Sequence, residues 1–162
     1  NMTDSMAALT ALANTECPER ETALAKFHDR WKDEALVLDK WFAVQAMSRL
    51  PGTLDRVRAL TRHPQFDLRN PNRLRSLIGS FCHYNPLHFH AADGSGYALL
   101  SEYVLQLDPL NPQVAARMAR AFDRWRKFDD GRQAHARAAL ERIRDHAGLS
   151  KDVAEVVTRA LA

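Results

Sequence analysis

The sequence predicts an all-α chain folded as an α-solenoid, and three observations carry that reading. Apolar residues recur at helical spacing along nearly the whole chain. No segment alternates apolar and polar residues for a strand's length between turn signals. Helix-start signals, above all the pairs Asn70-Pro71, Asn85-Pro86 and Asn111-Pro112, each place a capping side chain before a proline at the first helical position.

The elements follow in order. Met6, Leu9 and Ala13 mark a helix over 3–14. Cys17-Pro18, with Glu19 and Glu21 at the positive end of the helix dipole, opens 18–31, whose stripe is Leu24, Phe27 and Trp31. The third helix, 34–48, buries Leu38, Trp41, Phe42 and Gln45, and Leu50-Pro51-Gly52-Thr53 separates it from 53–62, striped by Leu54, Val57 and Leu60. Leu74, Leu77, Ile78 and Phe81 define 71–84. The chain's only glycine-rich loop, Ala91 to Gly96, precedes 97–107 with Leu100, Tyr103, Val104 and Leu107. Val114, Met118, Phe122 and Trp125 define 112–127; 131–146 follows, and Val153, Val156 and Val157 mark 150–161. Nine such helices on short connections imply antiparallel neighbours stacked as hairpins. The expected architecture is a single helical domain over 1–162, an irregular superhelix of armadillo or HEAT type without a strict sequence repeat.

Composition narrows the function. With 162 residues, 46% hydrophobic and 27% charged, the chain has the material for a core and lacks the composition of a disordered segment. Its apolar runs, such as Ala35 to Leu38, are far shorter than the roughly 20 residues of a membrane-spanning helix, so no membrane partner is expected. The chain opens on Asn1 with no basic region and apolar stretch behind it, which reads as a fragment of a longer polypeptide without a secretory signal. Two cysteines, Cys17 and Cys82, provide no disulfide framework, and reduced thiols in a cytoplasmic setting are expected. The formal charge is +3, and 18 of the 23 basic residues are arginine. Because 20 acidic residues are interspersed among them, nucleic acid is not an expected partner.

Few motifs point to chemistry. Cys82 to His90 gathers one thiol and three imidazoles, but without a CxxC pair, an HxxxH helix face or HExxH, and Pro86 interrupts it; no metal site is expected. Asp93-Gly94-Ser95-Gly96 lacks both a Walker lysine and GxGxxG, so it reads as a structural turn. No serine occupies a GxSxG elbow, and no catalytic residues are assigned. The arginines fall into two groups: Arg69, Arg73 and Arg75, and Arg117, Arg120, Arg124 and Arg126. On a continuous helix Arg117, Arg120 and Arg124 form one stripe away from the core face, while Arg75 shares its strip with the small residues Gly79 and Cys82. Most such arginines belong to solvated faces with carboxylate partners.

Several of these segments together carry a resemblance. Asn70 to Phe81 (NPNRLRSLIGSF), His90 to Tyr97 (HAADGSGY) and Asn111 to Met118 (NPQVAARM), with Asn1 to Leu9 and Leu38 to Phe42 (LDKWF), resemble the C-terminal domain of the bacterial aminopeptidase N family. The resemblance runs in order over nearly the whole chain. It implies a parent zinc aminopeptidase in which an all-helical C-terminal superhelix encloses the active-site chamber, with the zinc and its HExxH motif in an upstream catalytic domain. This chain then holds no cofactor itself, and its partners are that upstream domain and peptide substrates. The resemblance further implies that Arg75 and Arg117 face the chamber and contact the peptide tail, with Asn72 assisting or satisfying backbone groups of the first helical turn. The alternative is a helical scaffold that binds a protein or peptide without enzyme activity.

Overall fold

The computed structural model describes residues 1–162 as eleven α-helices, one π-helical turn and two 3-10 turns, with no β-strand. The fold is all-α and of the armadillo-like solenoid class. Its contacts separate two compact units, Asn1–Asn85 and Pro86–Ala162.

In the first unit α1 (Met2–Ala13), α2 (Glu19–Trp31), α3 (Ala35–Ala46) and α4 (Thr53–Leu60) precede a rod made of α5 (Pro71–Leu74), a π-helical turn (Arg75–Gly79) and α6 (Ser80–Tyr84). Helix α3 is the hub, packing against α1, α2, α4 and all three parts of the rod. Its expected stripe is buried as read, with Leu38, Trp41, Phe42 and Gln45 all inside. Each fully buried large apolar side chain contributes about 1.5–3 kcal/mol, so this helix anchors the unit. Polar side chains close its C-terminal end. Asn85 donates its amide to the carbonyls of Ala46 and Ser48, both at 2.9 Å, while the Ser48 hydroxyl donates to the carbonyl of Ala13 at 2.5 Å. These bonds satisfy carbonyls that a helix terminus leaves without intrahelical donors.

The second unit contains α7 (Pro86–Phe89), α8 (Ser95–Leu107), α9 (Pro112–Ala119), α10 (Asp130–Arg144) and α11 (Lys151–Leu161). Helix α8 packs on α9 and α10, and α11 closes against both. Asp108, 5% exposed, accepts from the backbone nitrogen of Ser150 at 2.8 Å and from its hydroxyl at 2.5 Å, tying the end of α8 to the start of α11. Asn70, Asn111 and Ser150 cap their helices through the third residue beyond, as their sequence positions require.

Two expected helices differ from the sequence reading. The segment 71–84 does not wind uniformly, because five residues form a π-helical turn; Ser76 donates to the carbonyl of Asn72 at 2.5 Å and Ser80 to that of Arg75 at 3.4 Å. The segment 112–127 stops as an α-helix at Ala119 and tightens into 3-10 turns at Arg120–Phe122 and Trp125–Lys127. The tightening lets both Phe122 and Trp125 bury while the Trp125 indole donates to the carbonyl of Ala160 on α11 at 2.9 Å. A continuous arginine stripe through residues 117, 120 and 124 therefore does not form.

Candidate functional site

Within 69–75 the structure separates Arg73 and Arg75 by role. Arg73 turns inward: its Nε donates to Asp39 Oδ1 at 2.5 Å, an Nη donates to the carbonyl of Gln65, and its guanidinium lies 5.3 Å from the ring centre of Phe42. Its side chain is 8% exposed and that of Asp39 16%, so this is a largely desolvated pair. Asp39 and Phe42 belong to LDKWF, and Arg73 to NPNRLRSL, so two separated motifs meet at one contact. Sequence reasoning did not single out Arg73. The available signal is its position four residues before Leu77, on the core face of the rod.

Arg75 is exposed, as is Asn72. The Arg75 Nη2 donates to Asn72 Oδ1 at 2.5 Å. Asn72 therefore orients the guanidinium, while the capping of the first turn falls to Asn70, which accepts from the backbone nitrogen of Arg73 at 3.2 Å. The contact uses a neutral acceptor, so the charge of Arg75 is not cancelled by a carboxylate. Arg117, in the last turn of α9, is exposed, and its side chain has neither a hydrogen bond nor an ion pair. Arg75 and Asn72 belong to the first unit and Arg117 to the second. Other arginines are neutralised, among them Arg56 by Glu21, Arg132 by Asp129 at 2.8 Å, Arg144 by Asp145 at 2.8 Å and Arg159 by Glu155 at 3.0 Å.

The remaining motif, HAADGSGY, is occupied by its own folding. Asp93 accepts from the Ser95 backbone nitrogen at 2.9 Å and its hydroxyl at 2.6 Å, and these bonds hold its carboxyl below the usual range. Gly94 has φ of 78°, in the left-handed region. A Cβ on Gly96 would stand 2.1 Å from the carbonyl oxygen of Phe89. Tyr97, 1% exposed, shares a 2.7 Å hydrogen bond with His90 Nδ1, and His90 stacks on Phe128 with ring centres 4.0 Å apart. Burial, then the Arg132 cation, pushes the His90 imidazole below its ordinary pKa; Arg132 Nε also donates to the His90 carbonyl at 2.5 Å. The motif is a junction between α7, α8 and α10.

No three His, Cys, Asp or Glu side chains converge on one point. Cys82 is buried within α6, and that burial pushes its thiol pKa far up, away from the thiolate that binds metal. The residues present do not fit a zinc centre. No helix is long and apolar enough to cross a membrane.

Comparison with known proteins fits this geometry. Residues 1–162 match the family described as a domain of unknown function (DUF3458_C) with ARM repeats. The chain is 45% identical, over its whole length, to aminopeptidase N of Escherichia coli, and 45% identical over 99% of its length to aminopeptidase N of Caulobacter vibrioides; it spans 19% of each relative. A crystal structure of Legionella pneumophila aminopeptidase A in complex with aspartic acid superposes with a TM-score of 0.94 and 37% identity, over 99% of this chain and 19% of that one. The chain thus belongs to the DUF3458_C family of ARM-repeat domains and resembles the C-terminal domain of bacterial aminopeptidase N.

Proposed function

We propose that this chain is the non-catalytic C-terminal domain of a zinc-dependent aminopeptidase that removes residues from the amino ends of peptides. In this reading it closes the active-site chamber, restricts entry to peptides and extended chains, and contacts the trailing part of the substrate through Arg75 and Arg117. Asn72 holds the Arg75 guanidinium in place for that contact. Its partners are an upstream catalytic domain of the same polypeptide, which would carry the zinc, and the peptide itself. The setting is cytoplasmic, in keeping with two unbridged cysteines.

The observation that carries this reading is the availability of the two guanidiniums. Both are exposed on helices, one held by a neutral amide and the other with no side-chain partner, whereas several other arginines are spent on carboxylates. A guanidinium fork binds a peptide's terminal carboxylate or its carbonyls in bidentate fashion, and such charge-assisted bonds strengthen where water is partly excluded.

The test uses the full-length enzyme. Arg75→Ala or Arg117→Ala is expected to raise KM for tri- and longer peptides on the order of tenfold, since a charged hydrogen bond contributes about 1.5–3 kcal/mol and less when solvated. A chromogenic single-residue amide, which has no tail, is expected to keep its kcat/KM. Equal losses on both substrates contradict the reading. Peptidase activity in the isolated 162-residue chain contradicts the non-catalytic assignment.

A further inference from the structure

The two 3-10 turns and the end of α11 enclose a recess of about 300 Å³, all within the second unit, lined by Arg120, Asp123, Arg124, Trp125, Arg126, Lys127, Val156, Arg159 and Ala160. Its cations differ in how they are used. Arg126 donates to the carbonyls of Leu161 and Ala162 at 3.0 and 2.6 Å and lies over the Trp125 ring at 4.6 Å. Arg120 pairs with Asp123 at 3.4 Å, and Arg159 with Glu155 at 3.0 Å. Arg124 and Lys127 are exposed, and their side chains have no hydrogen bond, ion pair or ring contact.

The charge is concentrated here. The lining carries five cations against one acid, Asp123, with Glu155 paired to Arg159 and Arg137 over the Trp125 ring beside it. A helix C-terminus attracts cations, and Arg126 fulfils that role by direct contact. It does not explain two further cations left without partners on the same recess.

We infer that this recess binds a compact polyanion, a small molecule bearing two or more phosphate or carboxylate groups. Arg124 and Lys127 supply its direct charge-assisted contacts, and Arg120 and Arg159 add the surrounding field. The small volume favours a compact ligand over an extended one. The apolar floor formed by Trp125, Val156 and Ala160 lowers the local dielectric and strengthens each contact. This inference is independent of the roles proposed for Arg75 and Arg117.

Pyrophosphate and citrate, titrated separately into the 162-residue chain at about 0.1 M salt, where screening sets in near 10 Å, distinguish phosphate from carboxylate preference. Binding is read by calorimetry and by the shift of the Trp125 indole N–H resonance. Sub-millimolar, saturable binding of at least one anion is expected, weakened about tenfold or more by Arg124→Gln with Lys127→Gln. The control pair Lys40→Gln with Lys151→Gln removes the same charge elsewhere and is expected to leave affinity nearly unchanged. Far-UV circular dichroism checks that all variants keep their helices. Equal weakening in both pairs would mean diffuse charge and overturn the inference. So would failure of both anions to saturate the indole shift, or binding of an oligoglutamate peptide in their place.

Discussion

Asp39→Asn is the most searching perturbation of the first unit, because it removes one charge of a buried pair and leaves the other in place. The Arg73 and Asp39 side chains are 8% and 16% exposed and meet at 2.5 Å. Stripping one member from such a pair typically costs about 3–5 kcal/mol, because the remaining ion stays buried without compensation. Arg73 keeps its bond to the Gln65 carbonyl and its position over Phe42, and position 39 is partly solvated, so a somewhat smaller loss of about 2–4 kcal/mol is expected. That is a large share of the 5–15 kcal/mol typical of a folded domain. With a urea slope of about 2 kcal/mol/M, the middle of the usual range, the unfolding midpoint should fall by about 1–2 M at constant slope. Urea melts followed by tryptophan fluorescence report it, since Trp31 and Trp41 lie in the first unit. Arg73→Met is expected to cost at least as much. The double variant Asp39→Leu with Arg73→Met is expected to recover most of the loss, because a packed apolar pair replaces the ions. A loss below about 1 kcal/mol in Asp39→Asn, or strictly additive losses in the cycle, would refute the view that this pair locks the rod to α3.

Gly96→Ala places a Cβ 2.1 Å from the backbone oxygen of Phe89, which cannot move aside as a side chain can, so a loss of about 3 kcal/mol or more is expected in thermal melts. Gln45 is 1% exposed, and its Oε1 has no hydrogen-bond partner. Gln45→Met, of similar volume, is therefore expected to raise stability by about 1 kcal/mol in urea titrations, since an unsatisfied buried acceptor is costly. The His90 and His63 imidazoles are both held below their ordinary pKa, chiefly by burial, with Arg132 adding to the first and His28 and Arg73 to the second. In acid the unfolded chain binds protons that the folded chain refuses, so their contribution is complete above a pH of about 6.5 and shrinks as pH falls below it. Urea midpoints between neutral and mildly acidic pH should show that decline, and His90→Gln should lessen it.

Much of the fold was legible because core stripes follow helical spacing: Leu38, Trp41, Phe42 and Gln45 are all buried, and Asn70 and Asn111 cap where expected. What stayed hidden depends on contacts distant in sequence. Hydrophobic spacing alone does not distinguish a π-helical turn from regular winding at Leu74, Leu77 and Ile78, nor does it reveal that Trp125 abandons its helix to reach Ala160, 35 residues away. The same limit applied to the arginines. Arg73 and Arg75 stand two positions apart, and what sends one inward is Asp39, 34 residues earlier. Asp93-Gly94-Ser95-Gly96 is the structural turn its sequence suggests, but the close approach of Gly96 to the Phe89 backbone depends on a contact that the motif itself does not encode.

The wide turn at Arg75–Gly79 acts as an angular spacer. One residue of a regular helix corresponds to about 100° of rotation, so absorbing a surplus residue here preserves the azimuth of Asn72 and Arg75 against that of Phe81 and Cys82. Deleting a single residue from the turn and restoring ordinary winding would leave the flanking side chains at nearly the same relative azimuth, because five residues wound in the wide turn rotate about as far as four in a regular helix. The rod thus carries one residue more than a regular helix would while Asn72 and Arg75 stay in phase with the apolar anchors beyond the turn.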